Sequence, residues 1–430
     1  MKICMFTNTF IPHVGGVARS VSCFAEDLRS LGHRVLVIAP MFPGIPADET
    51  EDFVLRVPAI QHFNGSDFSA SIPSPFLIHR KLDEFKPDII HSHHPYLLGD
   101  AAMRAAGRRC LPIVFTHHTL YEEYTHYVSS SKTMQKFVTR LSTTYANCCT
   151  YVVAPSASIA DLIQKRGVTT PVAEIPTGID FETFQTGNGN AFRKKTGIDE
   201  TVRLIGHTGR IAPEKNLSYL IRAVKIYLAQ DRKAKFLLVG DGPDFHAIRD
   251  SFASDNMENR LVAAGKQTGQ ELIDSYCAMD VFVFSSHSET QGLVVAEAMA
   301  AGKPVIALDA SGVREVVQDD INGRLLPADA PAGDFADAVD AFFRDPETMK
   351  RLAEGAVETA RQFDRKKMAR KMADLYAEAL KNKLREDLEY HHYFRLWEGL
   401  MQGLRTEWDL LSSKVEAFAD SIGYDEENKP

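Results

Sequence analysis

The strand-like run Val281-Phe-Val-Phe284 leads into Ser288-Glu-Thr-Gln-Gly-Leu-Val-Val-Ala-Glu-Ala-Met-Ala-Ala-Gly-Lys-Pro304, and this passage decides the fold. Four apolar residues in a row, without period-two alternation, specify a strand covered on both faces. A polar loop carrying Glu289 follows. A helix of small and apolar residues then starts near Gly292 and stops at Gly302, and Pro304–Leu308 reads as the next strand. This is one βαβ unit of a parallel sheet.

The same rhythm extends in both directions. Lys2–Phe6 and Arg34–Ala39 flank an amphipathic segment, Val17 to Leu31, which ends at Gly32. Asp88–His91, Ile113–His117, Tyr151–Ala154 and Val172–Ile175 are further strand candidates. The rhythm breaks at Pro176-Thr-Gly-Ile-Asp180 and resumes with Val202–His207, Lys235–Val239 and Leu261–Ala264. The expected fold is α/β, with two Rossmann-like doubly wound domains facing across a cleft and a helical C-terminal extension. Ligands bind such sheets at the carboxyl ends of their strands. The expected division is 1–184 for an acceptor-side domain and 185–200 for a linker, because Gln185-Thr-Gly-Asn-Gly-Asn190 is rich in turn formers. Residues 201–365 then form a nucleotide-sugar-binding domain, 366–384 a helix crossing back to the first domain, and 385–430 a helical tail.

Composition narrows the function classes. A chain of 430 residues with 25% charged residues and a formal net charge of −8 is an ordinary globular protein, and it lacks the basic field that nucleic acid requires. From Arg385 onward 11 acidic residues stand against 5 basic ones, so the remainder is close to neutral. The tail repeats Leu404, Trp408, Leu411, Val415, Phe418 and Ile422 at alternating spacings of four and three, a heptad seam that packs on the body or on a second copy. The six cysteines contain no CxxC pair and read as reduced thiols. With no signal peptide and no apolar run long enough to span a bilayer, the expected location is cytoplasmic, with any membrane contact peripheral.

Several residues nominate a phosphate- and sugar-binding site. The first N–H groups of the helix near Gly292, Leu293 and Val294 suit a diphosphate, aided by the helix dipole. Glu297, one turn further on, is placed to accept hydrogen bonds from a ribose diol, unless it is a solvated helix residue. Glu289 at the loop tip is placed for sugar hydroxyls. In Gly206-His-Thr-Gly-Arg-Ile-Ala-Pro-Glu-Lys-Asn-Leu217, Lys215 precedes a helix whose dipole disfavours a cation, a conflict that a bound anion removes. The competing reading is an ion pair with Glu214 or another neighbour. In His13-Val-Gly-Gly-Val17, Gly15 and Gly16 let the backbone approach a phosphate. Thr116-His117-His118-Thr119 and His91-Ser-His-His94 lie at strand ends. Five histidines in two clusters invite a metal, yet neighbouring strand residues point to opposite faces and no carboxylate or cysteine completes a set. No metal and no other cofactor is expected.

Glu289 and Glu297, with Gly292 and Gly302-Lys-Pro304 around them, resemble the Glu-x7-Glu signature of the family 4 retaining glycosyltransferases of GT-B fold. Arg210 and Lys215 look like that family's two cations on the donor's leaving diphosphate, and Gly240-Asp-Gly-Pro243 is also typical of it. His118 aligns with its active-site histidine. The resemblance implies a metal-independent hexosyltransferase with a nucleotide-sugar donor and retention of anomeric configuration. The implied transition state is oxocarbenium-like, and a donor phosphate oxygen takes the acceptor's proton.

Two stretches resemble the bacterial diacylglycerol α-glucosyltransferases: His118-Thr-Leu-Tyr-Glu-Glu-Tyr-Thr-His-Tyr127, and Gln291 where most of the family has an aromatic residue. They imply UDP-glucose as donor and a membrane lipid as acceptor. Lys132, Lys136 and Arg140 add a basic helix stripe beside Phe137, Val138, Leu141 and Tyr145, suited to an anionic membrane or equally to a solvated face over the core. The tail beyond residue 385 does not map onto that branch, so a soluble or polysaccharide-precursor acceptor stays open. A UDP-sugar 2-epimerase and a non-catalytic sugar-nucleotide-binding scaffold are the competing classes.

Overall fold

The computed structural model describes residues 1–13, 15–42, 52–61, 69–120, 132–287, 289–389 and 414, without the side chains of 384–389. The chain divides into two compact units, Met1–Gly178 with Lys366–Pro430, and Ile179–Arg365.

The first unit holds β1 (Lys2–Phe6), β2 (Arg34–Pro40), β3 (Val54–Val57), the short antiparallel pair β4 (Ala59–Ile60) and β5 (Ala70–Ser71), then β6 (Ile89–Ser92), β7 (Ile113–Thr116), β8 (Tyr151–Ala154) and β9 (Val172–Glu174). Its main sheet has the order β3-β2-β1-β6-β7-β8-β9, with parallel pairing throughout. Along β1, Cys4 and Phe6 enter one core and Ile3 and Met5 enter the other. The continuous apolar runs follow from this, since both faces of the sheet are covered by helices. Helix Gly16–Ser30 covers one face together with Met368, Met372 and Tyr376 of helix Arg365–Glu389. Helices Pro75–Phe85, Leu98–Arg109, Lys132–Asn147 and Ala157–Lys165 cover the other.

The second unit holds β10 (Arg203–Thr208), β11 (Ala234–Val239), β12 (Leu261–Gly265), β13 (Val281–Phe284), β14 (Val305–Leu308) and β15 (Gly323–Leu326), in the parallel order β12-β11-β10-β13-β14-β15. In each sheet the strand order reverses once, between β1 and β6 and between β10 and β13. Doubly wound sheets bind ligands at the carboxyl ends of the strands beside such a reversal.

Two boundary expectations need correction. The first unit ends at Gly178 rather than at 184, because Phe181 and Phe184 lie in the core of the second. Residues 185–200 are not a linker. They contain helix Gly189–Thr196, whose N-cap Asn188 accepts from the Ala191 N–H at 3.0 Å and whose C-cap Gly197 has φ +70°. The asparagine and glycines are cap residues and close-packing residues, since a Cβ at Gly187 or Gly189 would collide with Cys277. Arg193 then fastens this helix to the sheet. Its buried guanidinium donates to the carbonyls of Ala278 (2.8 Å) and Val202 (2.9 Å) and pairs with Asp280 at 3.0 Å.

Arg193→Ala should therefore lower the stability of the second unit by about 2–4 kcal/mol, because it removes the charged donor of the Ala278 and Val202 carbonyls and the partner of Asp280. Urea unfolding followed by fluorescence reads this as an earlier midpoint.

Candidate active site

In the second unit, two loops leave the adjacent strands β10 and β13 and meet. Pro213–Lys215 forms a 3-10 turn, and Asn216 (φ +54°) opens helix Leu217–Gln230. Lys215 Nζ donates to Glu289 Oε1 at 2.6 Å, with both side chains less than one-fifth exposed. Lys215 thus has an ion-pair partner, but it is Glu289 rather than Glu214, and the pair is largely buried rather than on the surface. Hydrogen bonds lace the backbone beneath the pair. Ser285 Oγ donates to the carbonyls of Lys215 (3.2 Å) and Asn216 (3.1 Å), and the Asn216 amide donates to the Ser285 carbonyl at 3.2 Å. Burial alone would raise the Glu289 carboxyl. The Lys215 charge and hydrogen bond, with another from Ser286, outweigh that effect and hold it below its ordinary value.

Beside the pair, Gly292 (φ +68°) caps helix Leu293–Ala300. Helix geometry leaves the N–H groups of Leu293 and Val294 without intrahelical acceptors, while Val295 N–H reaches the Gly292 carbonyl at 2.9 Å. A Cβ at Gly312 would stand 2.6 Å from the Gln291 nitrogen, so the turn at Gly312 (φ +74°) braces this loop by direct backbone contact. Glu297 is not solvated: it is 1% exposed, and its Oε2 accepts from the Tyr276 hydroxyl at 2.7 Å.

Arg210 is exposed, with no hydrogen-bond or ion-pair partner among the described residues. Its loop is braced by Gly240-Asp-Gly-Pro243, where Ile211 N–H donates to the Asp241 carbonyl at 2.9 Å and Asp244 N–H to the Ile211 carbonyl at 3.0 Å. His207 lies buried on β10. Its Nδ1 must carry the proton, because it faces the Val283 carbonyl at 3.0 Å, and burial lowers its pKa to about 4.

In the first unit, Gly15 caps helix Gly16–Ser30 with extended backbone, and both glycines are exposed. His118, half-buried just beyond β7, places Nε2 2.8 Å from His93 Nδ1. His91 bonds Tyr376 OH at 2.6 Å and Thr116 Oγ1 at 2.7 Å, while His94 Nδ1 accepts from the Asn8 N–H at 3.1 Å. The histidines thus bond to one another and to neighbouring groups. Among the described residues no three His, Cys, Asp or Glu side chains converge on a metal position.

Lys132, Lys136 and Arg140 are exposed on helix Lys132–Asn147. Tyr145 belongs to the domain core and Leu141 is buried, so of these four the half-buried Phe137 and Val138 remain as an apolar margin beside the stripe. Residues 121–127 of the acceptor-side stretch and the heptad positions 404–422 lie outside the described residues. Lys414 pairs with Asp100 at 2.6 Å. No helix among the described residues is long and apolar enough to cross a membrane.

The bracing groups Ser285, Ser286, Asn216 and Gly312 escaped the sequence reading. The one available signal was their place after a strand end, which many loop residues share.

A family model described as Glycosyltransferase Family 4 matches residues 14–183, and one described as Glycosyl transferases group 1 matches residues 189–359. The chain is 28% identical over 332 residues to an alpha-monoglucosyldiacylglycerol synthase of Streptococcus pneumoniae, covering 76% of this chain and 75% of that one. It is 32% identical to a GDP-mannose-dependent alpha-mannosyltransferase of Mycolicibacterium smegmatis, covering 76% and 85%. The crystal structure of Anabaena HepE in complex with UDP superimposes with a TM-score of 0.71 at 22% identity, over 88% of this chain and 100% of that one, a likeness of fold. Two doubly wound parallel-sheet units of this kind define the GT-B class of nucleotide-sugar-dependent glycosyltransferases. The chain belongs to family 4 of these enzymes, near their diacylglycerol glucosyltransferase branch.

The depressed Glu289 carboxyl predicts a pH signature. A group whose folded pKa lies below its unfolded value stabilises the fold above the unfolded value, about 4.3, and that contribution is lost as pH falls through the folded one. Wild type should out-melt Glu289→Gln at pH 7, and the gap in melting temperature should close towards pH 3.

Proposed function

We propose that the protein transfers glucose from UDP-glucose to diacylglycerol or a related membrane lipid, with retention of configuration and without a divalent metal. The observation that carries this reading is the Lys215–Glu289 pair beside the open end of helix Leu293–Ala300. An ammonium and unpaired helix N–H groups at the switch point of a doubly wound sheet suit a nucleoside diphosphate. The name of the Streptococcus pneumoniae relative supports the glucosyl and diacylglycerol assignments. The mannosyltransferase relative makes GDP-mannose the rival donor.

In this mechanism Lys215 and Arg210, with the N–H groups of Gly292, Leu293 and Val294, neutralise the charge that builds on the departing diphosphate. Fixed donors of this kind are worth about 10²–10³ in rate each. These cations take the place a divalent ion holds elsewhere, which is the ground for metal independence. Lys215 turns from Glu289 toward the phosphates as the donor binds, and the released carboxylate accepts from sugar hydroxyls. Glu297, oriented by Tyr276, accepts from the ribose diol. Gly15 and Gly16 admit the donor to the backbone of the first unit, and His118 hydrogen-bonds the sugar. The acceptor hydroxyl attacks from the leaving-group face and passes its proton to a donor phosphate oxygen. Lys132, Lys136 and Arg140 hold the enzyme to anionic lipid, with Phe137 and Val138 as the apolar margin.

Transfer from UDP- and GDP-sugars, with and without diacylglycerol vesicles and with EDTA, tests the assignment. Glucolipid should form from UDP-glucose in EDTA, and Lys215→Ala should lower turnover at least about 100-fold with its circular dichroism unchanged. Wild-type turnover in that variant would remove the phosphate role. The combined change of Lys132, Lys136 and Arg140 to Glu should abolish cosedimentation with anionic vesicles; undiminished cosedimentation would remove the stripe from membrane contact.

A further inference from the structure

The inference concerns His93 and rests on the reading of His118 as the sugar-contacting histidine. His93 follows β6, is 0% exposed, and meets His118 through the 2.8 Å contact between its Nδ1 and His118 Nε2. The two rings stack with centroids 5.1 Å apart and planes 27° apart. On its other side His93 packs against His91 at 4.0 Å between centroids. His91 is held at both nitrogens, by the Tyr376 hydroxyl from helix Arg365–Glu389 and by Thr116 on β7. His93 therefore stands on an immobilised ring and touches the residue that carries the proposed chemistry.

Burial, reinforced by the neighbouring imidazoles, pushes both His93 and His118 well below the ordinary histidine value, so both rings are neutral. A neutral imidazole has one N–H, and the contact needs one donor. If His118 donated from Nε2, the proton of His93 would sit on its own Nε2, which is buried with no partner among the described residues. A buried orphan N–H is rarer and more costly than an under-used acceptor. The donor is therefore His93 Nδ1–H, the acceptor is His118 Nε2, and His118 carries its proton on Nδ1.

We infer that His93 is a positioning residue that fixes the ring and the tautomer of His118, so that His118 serves as a hydrogen-bond donor through Nδ1–H and not as a base through Nε2. A donor there suits a hydroxyl oxygen of the transferred sugar. It also fits a mechanism in which a donor phosphate oxygen takes the acceptor's proton. The histidine clusters that suggested a metal site thus have a different use: one ring anchors, one relays and one contacts.

Nitrogen-15 NMR of histidine-labelled protein tests this, with the His118 signals assigned through His118→Gln. Wild type should show His118 as the Nδ1–H tautomer. His93→Leu should abolish that preference. His93→Asn, whose amide N–H can occupy the place of Nδ1–H, should keep it. In the transfer assay His93→Leu should lower kcat about 10–100-fold with the donor KM within about threefold, and His93→Asn should recover at least about a third of the rate. An Nε2–H tautomer in wild type, or an unchanged His118 tautomer in folded His93→Leu, would overturn the proposal. If His93→Leu does not fold, the wild-type tautomer and the His93→Asn arm still decide it. The tautomer readout needs no substrate, so its failure is distinct from failure of the glycosyl-transfer reading, which would appear as no turnover on any nucleotide sugar.

Discussion

An ammonium and a carboxylate 2.6 Å apart, on Lys215 and Glu289, join two loops that the chain separates by 74 residues. The cation stands at the entrance of helix Leu217–Gln230, where the dipole repels it, so Glu289 supplies the missing counter-charge. Asn216, Ser285, Ser286 and Gly312 brace the backbone around the pair. Both loops are there because β10 and β13 are adjacent strands at the reversal of sheet order, and the parallel pairing of Ile205 with Val281 sets their register. A preformed pair also has a consequence for specificity. A ligand that takes Lys215 must offer more negative charge than one carboxylate and must leave Glu289 with hydroxyl partners. A diphosphate attached to a sugar meets both conditions.

The first unit solves a different problem, the burial of many imidazoles. Neutral histidine needs each ring nitrogen matched to a partner of the right kind, or an energetic cost follows. Tyr376, Thr116 and the Asn8 N–H supply partners for His91 and His94, and His93 Nδ1 is matched to His118 Nε2, leaving His93 Nε2 buried with no partner among the described residues. Tyr376 comes from the helix that follows Arg365, so the chain's return to the first unit contributes to this array as well as to the core.

Much of this was readable before the structure. Runs such as Val281–Phe284 and Tyr151–Ala154 announce doubly covered strands because both of their faces are apolar. Val54–Val57, Ala59–Ile60, Ala70–Ser71 and Gly323–Leu326 passed unnoticed because short or peripheral strands carry little pattern. The glycines between 185 and 200 misled for a physical reason, since sequence does not distinguish a glycine needed for close packing from one needed for a turn. Lys215 and Glu289 were nominated separately, each by its local setting. That they touch is a tertiary fact. Helix Lys132–Asn147 shows a related limit, since periodicity reveals an apolar face but not what covers it: Leu141 and Tyr145 are buried, while Phe137 and Val138 are half-buried.

The most direct test of the central claim is a double-mutant cycle on UDP-glucose affinity, measured calorimetrically at fixed pH and salt. It uses wild type, Lys215→Met, Glu289→Gln and the double variant. If the pair is the donor site and its members exchange partners when the donor binds, the cycle should show a coupling of about 1–2 kcal/mol. Effects that add to within about 0.5 kcal/mol would mean that the two groups act independently, and would contradict the account.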